Sequence, residues 1–190
     1  MSLYSIVSDL ENYAYIGFDR EEIEEKFGDD IGTHIDMSCQ PRSYLSSWKT
    51  IAVSLSHEEG GITGGKTADI MQFKGKLFLS QKAYDLLSAE LENDGEFLPV
   101  EYENGRGYIF NPLSLAESVD GLNKEKSKKA GKRDIINMEF HEARLSHFGA
   151  FKTEFDNYIS VICNDRVKEI AQNEGLGGVK FSEDLAENFR

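Results

Sequence analysis

The stretch EFLPVEYENGRGYIF, Glu96 to Phe110, decides how this chain is read. Phe97–Tyr102 and Gly107–Phe110 are rich in aromatic and β-branched residues and are joined through Glu103-Asn104-Gly105-Arg106. Asn-Gly is the strongest short-range hairpin signal, because a type I′ turn needs positive φ at both central residues. The sequence therefore predicts an antiparallel hairpin near the middle of the chain.

Upstream of it, Leu77–Leu79 reads as a short strand running into Ser80, a helix cap. The helix is predicted over Gln81–Leu91, with Ala83, Leu86, Leu87 and Leu91 on one face. Further back, Ile51–Leu55 and Tyr44–Leu45 read as strands, and Tyr4 to Phe18 as one or two more. Between these, Asp19 is a good N-cap, Glu22 sits at the capping-box position and Gly28 supplies the stop. They bracket a short surface helix that is acidic on most faces.

Downstream, Ile135–Phe140 and Tyr158–Cys163 read as strands. Asn164-Asp165 cap a helix to about Gln172, Val179–Phe181 is a strand, and Ser182 opens a short final helix. Lys124–Arg133 holds six Lys/Arg and one Glu and reads as an exposed loop. Two segments echo each other: Ser80 to Phe97 and Asn164 to Phe181 have the same cap-to-aromatic spacing of 17. The expected fold is α+β: a mixed, mainly antiparallel sheet with short helices packed on it, containing two similar strand–helix–strand modules.

Thirty-four acids against 21 bases give a formal net charge of −13. Such a field repels phosphate backbones and anionic membranes and favours basic protein partners; it also simply keeps a protein in solution. No apolar run is long enough to span a bilayer. No basic region followed by an apolar stretch opens the chain, so a cytoplasmic protein is expected, although Met1-Ser2-Leu3 also matches a vector scar that would hide a leader. Cys39 and Cys163 lack CxxC spacing and are expected to be free thiols.

Gly60-Gly61-Ile62-Thr63-Gly64-Gly65-Lys66-Thr67 satisfies the phosphate-binding pattern G-x-x-x-x-G-K-[ST], which needs a strand before the loop and a helix after it. Nucleotide binding by Gly60, Gly65, Lys66 and Thr67 is the enzymatic alternative. Glu58 and Glu59 at the mouth, and the short span before Gly75, oppose it. His34, His57, His141 and His147 are not at metal-ligand spacing. No metal, cofactor or catalytic set is expected.

The runs KGKLFLSQKAYDLL, EFLPVEY, GYIFNPL, KEKS, YISVICNDRVKEI and GLGGVKF together resemble a bacterial immunity-protein family of polymorphic toxin and type VI secretion systems. The resemblance spans roughly Thr67 to Phe181. It makes residues 67–190 the immunity-protein-like α+β region and residues 1–66 a variable N-terminal strand/helix region of the same domain. It implies a non-catalytic protein that occludes the active site of a cognate toxin encoded by an adjacent gene. Two acidic clusters are the candidate contacts: Glu21, Glu22, Glu24, Glu25, Asp29 and Asp30, and an acidic rim at Glu92, Asp94 and Glu96. Either is equally read as solvated surface. A non-catalytic adaptor or structural protein is the third reading, and a homodimer stays open.

Overall fold

The computed structural model describes residues 2–56, 66–131 and 134–190. Along the chain these form β1 (Leu3–Ser8), β2 (Tyr15–Phe18), α1 (Arg20–Phe27), β3 (Ile51–Ser56), β4 (Ile70–Phe73), β5 (Lys76–Ser80), α2 (Gln81–Leu91), β6 (Gly95–Tyr102), β7 (Gly105–Pro112), β8 (Lys128–Lys129), β9 (Ile135–Asn137), β10 (Ala150–Phe151), β11 (Ile162–Asn164), α3 (Asp165–Asn173) and β12 (Val179–Ser182). The fold is α+β. A six-stranded sheet runs β2-β3-β6-β7-β5-β4, a four-stranded sheet runs β10-β11-β1-β12, and β8 pairs with β9. Every pairing between named strands is antiparallel except β3 with β6. The six-stranded sheet is nearly closed, for the Ile16 amide of β2 points at Met71 Sδ of β4, 3.0 Å away.

The two strand–helix–strand modules share one topology. In β5-α2-β6 the outer strands run parallel with β7 between them, antiparallel to both. In β11-α3-β12 the place of β7 is taken by β1. Each helix starts on a strand-end side chain that accepts the amide three residues on: Ser80 Oγ from Ala83 at 3.2 Å and Asn164 Oδ1 from Val167 at 3.1 Å. α2 and α3 meet through Ala83, Leu87, Leu91, Val167 and Ala171, over Leu77 and Leu79 of β5 and Tyr4 and Ile6 of β1. Phe78 points to the opposite face of β5, into a second core with Ile51, Leu98, Val100 and Ile109 that α1 covers with Ile23. Residues 1–66 thus supply strands to both large sheets.

Asp69 joins the modules. Its carboxylate accepts from Ser80 Oγ at 2.8 Å and from the Gly177 amide at 3.2 Å, while its own amide donates to Gly177 O.

Several local expectations change. Tyr102 pairs with Gly105, so the central turn residues of the β6–β7 hairpin are Glu103 and Asn104. Neither has positive φ; Gly105 takes it, at 119°, so the turn is not type I′. The type I′ signature falls at Lys74-Gly75, φ 42° and 68°, between β4 and β5. A Cβ at Gly75 would also collide with the Tyr158 carbonyl. Tyr44–Leu45 is not a strand but leads into a 3₁₀ turn at Leu45–Ser47, because Glu96 holds the Tyr44 and Leu45 amides away from any ladder. The last helix shrinks to a 3₁₀ turn at Glu187–Phe189. Residues 124–131 stay exposed apart from Ser127, with Lys128–Lys129 recruited as a strand; Lys132 and Arg133 lie outside the described residues.

Asp69→Ala removes two hydrogen bonds to a carboxylate at the joint between modules. It is expected to lower unfolding free energy by about 2–4 kcal/mol in urea titration, with Ser80→Ala costing roughly 1 kcal/mol.

Candidate functional site

Between α1 and β3, residues 28–50 cross the end of the second core with only two 3₁₀ turns of their own. A covered backbone segment must find partners for its amides and carbonyls, and here charged side chains of the sheets supply them. The Glu96 carboxylate accepts from Tyr44 N at 2.7 Å, Ser43 Oγ at 2.6 Å and Leu45 N at 3.2 Å, with Asn111 Nδ2 at 2.9 Å across the β6–β7 pair. Asn111 Nδ2 also donates to Arg42 O, and Trp48 Nε1 donates to Pro99 O at 2.9 Å.

Two lysines hold the middle of the segment. Lys76 and Lys152 are both 0% exposed. Lys76 Nζ donates to Ser38 O and, at 3.1 Å, to Lys74 O; Lys152 Nζ donates to Cys39 O at 3.4 Å. Neither has a carboxylate within ion-pair distance among the described residues. Burial pulls Lys76 down to about 7, with the Lys152 charge adding to the effect and Cys39 and Asp36 opposing it. Burial likewise pulls Lys152 down to about 8, against Cys39, Asp156 and Glu96.

This arrangement corrects the second acidic cluster. Only Glu92 of that rim is exposed. Glu96 is 6% exposed and is committed to residues 43–45. Asp94, at 3%, accepts from the Gly149 and Ala150 amides and Ser114 Oγ. Burial pushes the Asp94 carboxyl up, and those three hydrogen bonds oppose the rise. Neither side chain is available to a partner.

The first cluster is largely a surface. Glu21, Glu24, Glu25, Asp29 and Asp30 are exposed. Glu22 is half-buried and turned inward; instead of closing a capping box it accepts from Ala52 N at 3.0 Å and pairs with Lys26 at 2.6 Å. Asp19 caps α1 alone, accepting from the Glu21 and Glu22 amides. Asp30 caps the turn at Ile31–Thr33 by accepting from Gly32 N. The carboxylates of Glu21, Glu24, Glu25 and Asp29 have no ion-pair partner among the described residues. Ile31, Met37 and Leu45, in the segment that follows, are exposed apolar side chains, and Arg20 of α1 reaches Met37 Sδ at 3.7 Å.

Gly60 and Gly65 of the phosphate-loop pattern lie outside the described residues. Thr67 accepts from Asn104 Nδ2 at 3.2 Å, and the chain then enters β4, not the helix that such a loop requires. His57 also lies outside the described residues. Among those described, no three His, Cys, Asp or Glu side chains are grouped to hold a metal ion, and no helix is long and apolar enough to cross a membrane. Cys39, half-buried, and Cys163, buried, are free thiols; burial pushes the Cys163 thiol up. No protein-family model matches the chain, and no curated protein matches it.

The sequence reading passed over Lys76 and Lys152. For Lys76 a signal existed: it stands two residues before Phe78, on the same face of a strand, and that face is core.

The lysine burial fixes a pH dependence. The unfolded lysine value is 10.5, so between about 7 and 10 the unfolded chain binds more protons than the folded one, and stability from this source rises with pH. Lys76→Met is expected to flatten the rise measured by urea unfolding between about pH 7 and 9.5, the difference from wild type isolating this group from other titrations. Parallel pH profiles would remove the burial cost assigned to Lys76.

Proposed function

We propose that this chain is an immunity protein that binds a basic bacterial toxin domain and covers its active site, acting in the cytoplasm. The observation that carries the reading is the α1 face: Glu21, Glu24, Glu25 and Asp29 stand in solvent without counter-charges among the described residues, and the segment that follows exposes Ile31 and Met37, the latter reached by Arg20 of α1. Asp69, Asp94 and Glu96, by contrast, are engaged in holding the fold. A field from a net charge of −13 steers a basic partner toward the molecule, and the exposed apolar side chains give the encounter something to bury. The resemblance of residues 67–181 to immunity proteins agrees with an occluding, non-catalytic role.

The test is co-expression with the toxin gene adjacent to this one, followed by co-purification. Rescue of growth with a stable complex supports the proposal; no rescue and no complex overturns it for that pair. Within a complex, Glu21→Lys/Glu24→Lys/Glu25→Lys is expected to slow association about tenfold or more at low salt and to weaken its salt dependence. The melting midpoint should hardly move, since all three side chains are exposed.

A further inference from the structure

A cleft of about 430 Å³ opens between the end of α1 and the segment from Thr33 to Lys49, within the size range of small-molecule sites. Its charged lining runs against the sign of the whole protein: Lys26, Arg42 and Lys49 line it, and among the described residues no carboxylate does. Lys26 is already engaged, to Glu22 and to Thr50 O. Arg42 and Lys49 have no ion-pair partner among the described residues, and both are exposed. The Arg42 guanidinium carbon lies 5.6 Å from the Tyr44 ring centroid, and Trp48 and Phe27, also in the lining, stack with centroids 5.2 Å apart.

His34 also belongs to the lining, but its ring is turned inward: the residue is 2% exposed, Nε2 lies 2.5 Å from Gly28 O, and Nδ1, closed off from solvent, has no hydrogen-bond partner among the described residues. A carbonyl can only accept, so Nε2 carries a proton. Nδ1 is then an unused acceptor while the ring is neutral and an unused donor once it is protonated.

We propose that this cleft binds a small phosphate monoester carried on a planar ring. The anionic oxygens meet Arg42 and Lys49, the former with a planar fork suited to phosphate. The ring lies along the aromatic wall. This site is separate from the toxin-binding reading and stands or falls without it. The overall negative field opposes any anion, so the expected affinity is modest, on the order of 1 mM or somewhat tighter.

Trp48 is the chain's single tryptophan, so its emission reports on the cleft directly. Titration with phenyl phosphate is expected to give a saturable change in that emission. Inorganic phosphate should bind about tenfold more weakly and phenol not measurably. Arg42→Gln/Lys49→Gln should abolish the response with an unchanged melting midpoint, because the Arg42 carbonyl that Asn111 holds is kept. Chemical-shift changes at the Trp48 indole N–H provide a second readout, and the single variants a fallback if the pair destabilises the fold. Absence of saturation by about 10 mM phenyl phosphate, an equal response to phenol, or full binding by the double variant would each overturn the proposal.

Discussion

The Glu96 carboxylate is the constraint on which the candidate site depends. It gathers four donors, three of them from residues 43–45, and so converts an irregular stretch into a fixed wall over the second core. Lys76 and Lys152 do the complementary work on the carbonyls of Ser38 and Cys39. Hydrogen bonds to ionised groups are stronger than neutral ones, and removing one partner strands a buried charge. A loop without helix or ladder is thereby held by a carboxylate at residues 43–45 and by two lysine nitrogens at residues 38–39. The α1 face and the basic cleft are both placed by this arrangement, since α1 packs on one side of the segment and Arg42, Tyr44 and Trp48 belong to it.

Much of the framework was legible in the sequence, and the reasons are local. α2 was readable because Ser80 precedes an apolar period at Ala83, Leu87 and Leu91; α1 was readable because Asp19 and Gly28 bracket it. The matching spacing from Ser80 to Phe97 and from Asn164 to Phe181 corresponds to a shared topology, although the strand lying between each pair could not be foreseen. In one module it is the next strand along the chain, and in the other it is the first.

The candidate site was less legible, because charge composition does not report burial. Glu96 looked like part of a solvated rim, yet it shares its strand face with Leu98 and Val100, both core. Alternation carried that information and the acidic cluster obscured it. Similarly, Asn104-Gly105 drew attention as a turn signal while the pair of positive φ values formed at Lys74-Gly75, where Tyr158 crowds the glycine. The segment from His34 to Trp48 has no period to read, since its order comes from side chains far away in the chain.

β1 lies between β11 and β12, with Leu3 opposite Asn164 and Ser5 opposite both Ile162 and Ser182. During synthesis β1 is therefore left without either neighbour until β11 and β12 have emerged. Its apolar residues Leu3, Tyr4 and Ile6 must wait exposed, while β4 through β7 can already pair. Sequence-distant pairing of this kind slows folding and lengthens exposure to wrong partners. The ribosome-bound chain is consequently vulnerable at β1, and β11 and β12 act as the latch that takes that strand out of reach.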